Sequence, residues 1–423
     1  MDPIRQLVVI GAGAAGLMAA ITAARRKIDV LLLEKNSMAG LKILATGNGE
    51  GNLSNFNLTI DHYHSQDPEF VQPALNEFGF QQTWDFFEEL GLKLFITDKG
   101  RVFPNSREAS VIQKMLASEV VHLNVGIFLG ARIQEILRIG QFFEIKMKQA
   151  PSVYTKNIIL ATGGLAAPQL GATGDGYQWA TRLGHHLKPQ FPSLIQLTTN
   201  LRDSYLLNKI KLTNIQMNIF IEERLAASKG GNLFFIPNGI SGSSVFDISR
   251  IVNEALSNKR KVIVQVNFTP NITIEEIKKF LKERKKNRPD QLLLSLLGGI
   301  LPEKLSYYIL KSMKIEQNIP VGLFYKNQID QLIQEITHFD IPVTGIRSWK
   351  YAQVTCGGVC VSEVDSKTME SRMIPHLYFA GEILDVDGDC GGYNLQWAWS
   401  SGNLAGKSAV EKINKKRSMS DKY

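Results

Sequence analysis

The apolar positions at the start of the chain fall into short runs separated by glycines. Residues 6–10 (Gln-Leu-Val-Val-Ile) are typical of a buried parallel strand, and the glycine-rich residues 11–16 follow directly. Residues 17–26 are rich in alanine and predict a helix. Residues 29–33 predict a second strand, which ends at Glu34. The first 34 residues therefore predict a complete strand–turn–helix–strand unit.

The pattern continues with mixed elements up to the next glycine cluster. Residues 81–91 and 106–118 predict helices. Residues 125–147 predict short alternating strands, and residues 157–161 form another apolar strand that is closed by Thr162-Gly163-Gly164. A buried strand that ends in a glycine turn again indicates a parallel sheet.

Further along, apolar and polar positions alternate, as in antiparallel strands with one buried face. Such strands are predicted over residues 195–199, 215–221 and 262–268. Amphipathic helices, punctuated by prolines, are predicted over residues 273–286, 292–301, 303–313 and 328–338. This part of the chain therefore predicts a separate β-rich domain with a helical insert.

After Gly345 the glycine-rich apolar pattern returns. Residues 377–380 predict a buried strand, residues 385–392 a loop and residues 395–413 a helix. We interpret the chain as an α/β protein in which a discontinuous Rossmann-type domain is interrupted by the β-rich domain. The predicted boundaries are residues 1–190 and 345–423 for the discontinuous domain, 191–344 for the insert, and about 271–340 for its helical subdomain.

Composition narrows the class of protein. The 423 residues are 44% hydrophobic and 21% charged, which is ordinary for a globular protein. Three cysteines do not make a disulfide framework, and no signal segment or membrane-spanning run is evident, so we expect a cytoplasmic protein. The sequence indicates no oligomeric state.

The net charge of +8 is partly local, and it allows two interpretations. A basic cluster can bind nucleic acid or can be the solvated face of a helix, and the second interpretation is favoured because no aromatic residues are interleaved. The cluster consists of Lys278, Lys279, Lys282, Arg284, Lys285, Lys286 and Arg288.

The first glycine cluster has the spacing of a dinucleotide-binding fingerprint. Gly11 permits the tight turn, Gly13 lets the backbone approach a pyrophosphate, and Gly16 allows close packing of helix and strand. The pyrophosphate would lie at the helix N-terminus, with Ala12, Ala14 and Ala15 completing the turn. Glu34, 18 residues after Gly16, can accept hydrogen bonds from ribose hydroxyls.

The C-terminal segment favours FAD over NAD. Residues 376–382 form an apolar strand that ends in Ala-Gly-Glu, and Glu382 can face the ribityl chain and pyrophosphate together with Gly381. Gly391-Gly392 then opens a helix whose free N–H groups can stabilise negative charge in a reduced flavin. Tyr393, Asn394 and Leu395 complete this cofactor-binding segment.

Further candidate cofactor residues flank these motifs: Lys35, Lys42, Thr46, Gly47, Asn48, Arg132, Thr162 and Gly163. Lys42 can neutralise a phosphate, although the segment around it is equally compatible with an ordinary surface loop. Residues 171–176 do not form a second fingerprint, because no strand precedes them. A dedicated NAD(P)H-binding domain is therefore not expected, and NADH or NADPH would be a diffusible donor.

Cysteine and histidine spacing indicates no metal site. Cys356 and Cys360 are too far apart in sequence for a Cys-x-x-Cys redox pair. Cys390 lies in the predicted flavin loop, where a small packing residue is favoured over a redox role. The histidines, among them His62 and His64, form no ligand pattern. The sequence identifies no catalytic acid or base.

The chain resembles a bacterial flavoprotein family that includes aminoacetone oxidase and the BaiN-type reductases. The most specific resemblance lies in residues 380–382 and 391–398, with further matches at residues 9–16, 42–49 and 357–359. The resemblance implies an FAD domain interrupted by a β-barrel-like insert, with the active site on the exposed flavin face between the domains. The chain has Glu50-Gly51 where this family usually has Arg-Cys.

We therefore expect an FAD-dependent oxidoreductase that acts on a small molecule by hydride transfer to or from the flavin. Two alternatives remain open at this point. The basic cluster is compatible with a flavin-dependent enzyme that modifies tRNA or another RNA. The replacement at Glu50-Gly51 is compatible with a flavin-binding protein without catalytic activity.

Overall fold

The computed structural model describes residues 4–420. The chain divides into two compact units, the first made of Met1–Pro192 with Gln353–Tyr423 and the second of Ser193–Ala352. The first unit is thus assembled from both ends of the chain.

A five-stranded parallel sheet forms the centre of the first unit. Its strands are short and apolar, and the inner strand Leu7–Ile10 is almost fully buried, as expected for a parallel sheet with both faces covered. The strands lie in the spatial order Leu377–Phe379, Ile158–Leu160, Leu7–Ile10, Val30–Glu34 and Gly126–Leu129. The carboxyl ends of neighbouring parallel strands meet at one edge, and the predicted site residues follow those ends.

Helices and small antiparallel sheets surround the central sheet. The helices are Ala14–Ala24, Gln72–Glu77, Phe80–Glu89, Ala109–His122, Asp175–Arg182 and Tyr393–Ser420. The additional strands are Ser54–Asn55, Tyr63–His64, Leu94–Ile96, Arg101–Pro104, Ile133–Ile139, Phe142–Met147, Val153–Thr155, Phe191–Ser193, Val354–Cys356 and Asp387–Gly388.

The first and last helices of this unit pack against each other with backbone contact. A Cβ atom at Gly402 would lie 2.4 Å from the carbonyl oxygen of Ala15, and a Cβ atom at Gly406 would lie 2.6 Å from that of Ala19. Real Cβ atoms do not approach so closely, so glycine is required at both positions. The helix near the start of the chain and the helix near its end therefore pack closely, with a glycine of the last helix against an alanine of the first at both contacts.

The second unit is a closed barrel with helices. The barrel order is Leu197–Thr199, Gly239–Ser241, Arg224–Ile236, Lys211–Ile221, Val262–Asn267 and Phe339–Ile346, and the last strand pairs with the first. The helices are Ser243–Ser257, Ile274–Asn287, Leu293–Leu297, Glu303–Ser312 and Lys326–Thr337. Alternate strand residues point into a core of their own, as in Val262, Val264 and Val266.

The predicted fold class is confirmed: the chain is an α/β protein with a parallel sheet, a Rossmann domain, and a closed six-stranded barrel that carries helices. Several element predictions need correction. Residues 41–49 form a kinked 3-10 helix rather than a loop, and the strand Gly126–Leu129 joins the parallel sheet. The predicted helix over residues 292–301 is only Leu293–Leu297, because Gly298 and Gly299 end it.

Among the described residues, every helix is too short or too polar to cross a membrane.

Candidate functional site

The glycine turn lies between the strand Leu7–Ile10 and the helix Ala14–Ala24, as the fingerprint predicts. A Cβ atom at Gly16 would lie 1.8 Å from the carbonyl oxygen of Gly11, so glycine is required there by the fold. A Cβ atom at Gly13 would meet nothing within 4 Å. Gly13 also has φ −77°, which any residue adopts, so the folded chain itself gives no reason for a glycine at this position.

Glu34 closes this turn from the neighbouring strand. Its Oε2 accepts a hydrogen bond of 2.8 Å from the backbone N–H of Ala12. Its Oε1 accepts hydrogen bonds from Asn36, at 2.8 Å from the backbone N–H and 2.7 Å from Nδ2. The side chain is thereby fixed in a buried position beside the glycine turn.

Glu382 occupies the corresponding place after the strand Leu377–Phe379. Lys42 Nζ lies 2.7 Å from Glu382 Oε2, and the backbone N–H of Thr355 donates to Glu382 Oε1 at 2.9 Å. Lys42 is only 29% exposed and Glu382 19%, so the pair is partly shielded from solvent. The positive charge of Lys42 is thus paired with the carboxylate of Glu382, another predicted residue of the site.

The Gly391-Gly392 turn is bound to the segment of residues 52–55. Asn55 Nδ2 donates to the carbonyl oxygen of Gly391 at 2.9 Å. A Cβ atom at Gly392 would lie 2.3 Å from the carbonyl oxygen of Ser54 and 3.0 Å from Asn52 Oδ1. Asn52 Oδ1 is buried and has no hydrogen-bond partner among the described residues, so this acceptor is available to a ligand.

Two buried phenols lie close to these residues. Burial, reinforced by the charges of Glu382, Asp385 and Cys356, raises the pKa of Tyr177 well above its usual value. Burial and the neighbouring Tyr393 likewise raise the pKa of Tyr63. Both hydroxyls are therefore neutral hydrogen-bond donors, and Tyr63 uses its proton to bond the carbonyl oxygen of Tyr393 at 3.0 Å.

The other predicted residues divide into those near the site and those that are engaged elsewhere. Thr162 and Gly163 follow the strand Ile158–Leu160 beside the glycine turn. The Asn394 side chain makes two hydrogen bonds with the backbone of Gly388, which precedes the Gly391-Gly392 turn. Tyr393 is buried, whereas Leu395 is half-buried. Of these residues, Thr162 and Gly163 lie at the carboxyl end of a parallel strand, whereas residues 393–395 lie at the start of the last helix.

Five predicted residues are directed elsewhere or to solvent. Lys35 Nζ lies 2.8 Å from Asp175 and also bonds Thr173. Arg132 is exposed. Thr46 Oγ1 donates to the carbonyl oxygen of Ile43 at 2.6 Å, while Gly47 and Asn48 are exposed. Their assignment to a cofactor stays a prediction.

Two features of the site were not predicted from the sequence. They are the contact of residues 52–55 with the Gly391-Gly392 turn and the pairing of residues 62–64 with residues 387–389. Both contain small polar residues without hydrophobic periodicity, so no element was predicted there. The signal that was available was the polar run Asn-Leu-Ser-Asn directly after the glycines of residues 47–51.

The residues present fit a dinucleotide cofactor. The buried acceptor of Asn52 lies against Gly392, in the turn that opens the last helix. The space beside Gly13 and the fixed carboxylates of Glu34 and Glu382 lie at the carboxyl ends of the parallel strands. In open α/β sheets this is the edge at which dinucleotides bind.

The fold and the site together define an α/β dinucleotide-binding protein of the flavoenzyme class. The chain belongs to the HI0933-like family, since the model of the HI0933-like protein Rossmann domain matches residues 5–408.

Among curated relatives, the 3-dehydro-bile acid delta(4,6)-reductase of Clostridium scindens is 35% identical over 96% of this chain and 98% of its own. The ribosomal RNA dihydrouridine synthase of Haemophilus influenzae is 33% identical over 95% and 97%.

Among solved structures, the 3-ketosteroid delta1-dehydrogenase of Sterolibacterium denitrificans has a similar fold, with a TM-score of 0.54 and 12% identity. This likeness covers 96% of this chain and 99% of that one. The predicted family and the predicted enzyme class are both confirmed: the protein is a flavin-dependent oxidoreductase.

Proposed function

We propose that the protein is an FAD-dependent reductase that saturates a carbon–carbon double bond conjugated to a carbonyl group in an apolar small molecule. The observation that carries this proposal is the likeness, over 96% of the chain, to a relative named as a bile-acid delta(4,6)-reductase. Dihydrouridine formation by the second relative is chemically the same step, because the reduced bond of uracil is also conjugated to a carbonyl.

The glycine turn would hold the pyrophosphate of FAD. The helix Ala14–Ala24 presents its free N–H groups there, and the open space at Gly13 admits the phosphates. Glu34 would accept hydrogen bonds from the adenosine ribose. Lys42 and Glu382 would order the ribityl side of the cofactor, with the lysine balancing phosphate charge.

The other end of the site would hold the flavin ring. The helix that starts at Tyr393 directs its N-terminal N–H groups and dipole towards this end, where negative charge is favoured. Asn52 Oδ1 would accept a hydrogen bond from the cofactor. FAD, when bound and reduced, supplies a hydride, while the protein orients the substrate and manages the proton.

An open groove in the first unit has the size needed for a small molecule. It has a volume of about 410 Å³ and is lined by apolar residues, among them Phe56, Leu58, Ile60 and Phe80, together with the polar Thr59, Gln72 and Asn76. Phe56 follows Asn55, which is hydrogen-bonded to Gly391 of the predicted flavin loop. The wall of the groove is therefore continuous with the segment that would contact the ring.

The test is an anaerobic spectrum of the purified protein with FAD. We expect flavin absorption at about 450 nm to bleach when NADH or NADPH is added and to return when a 3-oxo-4,6-diene steroid acid follows. The saturated steroid should appear in step with reoxidation. A reduced flavin that the steroid and simpler conjugated enones leave unchanged would overturn the proposal.

Reduction of uridine in ribosomal RNA is the second candidate, because a second relative carries that name and the net charge is +8. The basic helix Ile274–Asn287 supports it only weakly. Lys278 lies 3.6 Å from Asp330 and Lys279 lies 3.9 Å from Glu283, so part of its charge is already paired. Ribosomal RNA would be established as the substrate instead if it bound the protein in a salt-dependent manner and reoxidised the reduced flavin.

A further inference from the structure

A cluster of two histidines and one carboxylate stands beside the predicted flavin loop. His62 Nδ1 lies 3.2 Å from Asp389 Oδ2, and His64 Nε2 lies 2.8 Å from Asp389 Oδ1. The strands Tyr63–His64 and Asp387–Gly388 pair with each other, and the backbone N–H of Asp389 donates to the carbonyl oxygen of His62 at 2.9 Å. The cluster is thus fixed through both its backbone and its side chains.

The same contacts place the cluster at the loop assigned to the flavin ring. The His62 imidazole stacks on the Tyr393 ring, with 4.2 Å between centroids and 19° between planes. Tyr393 is the first residue of the last helix and follows Gly391-Gly392 directly. His62 therefore packs on a residue adjacent to the predicted ring site.

The geometry indicates one role for the Asp389 carboxylate and another for the two imidazole rings. The Asp389 carboxylate faces Nδ1 of His62, so a proton on Nδ1 is held and Nε2 is presented on the opposite side of the ring. The His62 side chain is 34% exposed and that of His64 36%, so both rings can exchange protons with water. A histidine held in this orientation is suited to general acid catalysis.

We propose that His62 is the proton donor of the reduction and that Asp389 and His64 are positioning residues, an inference that rests on the proposed function. Reduced FAD would supply the hydride for the new C–H bond at the β carbon. In the same step the Nε2–H bond of doubly protonated His62 breaks and its proton forms the C–H bond at the α carbon, after which neutral His62 regains a proton from water.

The test separates the two half-reactions of the FAD-loaded protein. In His62→Gln we expect flavin reduction by NADH or NADPH at the wild-type rate. Reoxidation by the conjugated enone should be slower by roughly 10²–10⁴-fold, with loss of the wild-type solvent deuterium isotope effect. His186→Gln is the matched control, because His186 also faces a carboxylate, Glu363 at 2.5 Å, but is 80% exposed and lies outside the loop.

A second measurement does not depend on turnover. Nitrogen NMR of labelled histidine in the protein without substrate should show His62 protonated at Nδ1, and this signature should disappear in Asp389→Asn. Equal reoxidation rates in wild type and His62→Gln would overturn the proton-donor role and leave the reductase intact. Failure of the wild-type protein to reoxidise would instead count against the proposed function.

Discussion

Gly13 and Gly16 share one turn, yet glycine is needed at the two positions for different reasons. Gly16→Ala should lower the free energy of unfolding by about 3 kcal/mol or more, because its Cβ would overlap the Gly11 carbonyl at 1.8 Å. Gly13→Ala should leave the stability of the FAD-free protein within about 0.5 kcal/mol of wild type, since the space beside it is open.

FAD titration completes this prediction. Gly13→Ala should weaken FAD binding by about 10-fold or more, equivalent to ~1.4 kcal/mol, because the new methyl group fills the space kept for the pyrophosphate. The measurements are urea denaturation without FAD and flavin fluorescence with it. Unchanged FAD affinity in Gly13→Ala would show that the cofactor does not lie against this turn.

His185 makes stability depend on pH. Burial lowers its pKa, although the charge and hydrogen bond of Glu363 oppose that shift. The unfolded chain, with an ordinary histidine pKa near 6.5, therefore binds more protons than the folded chain once the pH falls below that value. The contribution of His185 to stability is complete above this pH and declines as the solution is acidified.

We therefore expect the stability of wild type to fall as the pH decreases below about 6.5, and to fall less steeply in His185→Asn. Glu363, whose pKa is lowered because hydrogen bonds from His186 and the charge of His185 outweigh its burial, adds a further loss at lower pH. Urea denaturation across this range measures both slopes. The exposed His122→Asn serves as control, and identical slopes in wild type and His185→Asn would contradict the prediction.

The sequence alone identified residues whose role depends on others that are close to them in the chain. The glycine spacing and Glu34 were recognisable because strand, turn and helix are contiguous in sequence. The contact between His62 and Asp389 joins residues 327 positions apart, through strands of two residues each. Such short strands carry no periodicity, so only the three-dimensional structure brings these side chains together.

At the scale of elements, the departure at Glu50-Gly51 shows how a loop is fitted to a helix. Gly51 has φ +79°, and a Cβ atom there would lie 2.7 Å from Ile112 Cδ1 and 3.0 Å from Ala109 Cα. Glu50 Oε2 meets Arg107 Nη1 at 2.9 Å in an exposed pair that contributes little stability. The helix Ala109–His122 therefore lies against a glycine where the family usually has cysteine.

Gly51→Ala should consequently lower the free energy of unfolding by roughly 2–4 kcal/mol, from backbone strain together with the contact. Gly49→Ala is the matched control, because Gly49 has φ +91° but nothing within 4 Å of its Cβ position, so its cost should be only about 1 kcal/mol. Thermal and urea denaturation measure the difference. Equal costs at the two positions would show that the helix yields to the new methyl group.

The elements that could not be predicted are those that depend on tertiary partners. The strand Arg224–Ile236 begins with a polar, glycine-containing run, yet this run is paired with the long strand Lys211–Ile221 in the barrel, which overrides its weak propensity. The helix Ser243–Ser257 follows Gly242 without a side-chain cap, so it lacks a start signal. Elements with regular alternation, such as Val262–Asn267, were foreseen.

At the scale of the whole molecule, the second unit has the features of an independently folding domain. Its first and last barrel strands pair, so the barrel closes with residues of this unit only, and it has its own hydrophobic core. We expect a polypeptide of residues 193–352 to fold alone and to unfold in one cooperative transition. Circular dichroism during urea denaturation tests this, and a gradual, non-cooperative loss of signal would contradict it.

The isolated unit should bind no FAD, because the glycine turn and Glu382 belong to the other unit. In the full chain, FAD should then raise the free energy of unfolding of the first unit only. The increase should be about 2.7 kcal/mol at a free FAD concentration 100 times the dissociation constant. Titration with flavin fluorescence and calorimetry distinguishes the two transitions. Equal shifts in both would show that the units unfold together.

The backbone contact between the first and last helices also sets an order of events during synthesis. The helix Ala14–Ala24 emerges from the ribosome early, but its partner begins at Tyr393, about 370 residues later. At elongation rates of roughly 5–20 residues per second, this delay is on the order of 20–70 s. Through that interval the nascent chain keeps the surface of Ala15 and Ala19 uncovered, while the barrel has already left the tunnel. If the residues after Gly391 contact FAD as proposed, FAD binds only after nearly the whole chain has been synthesised. A chain that ended before Tyr393 would combine a complete barrel with an uncovered apolar helix, which chaperones and proteases can recognise.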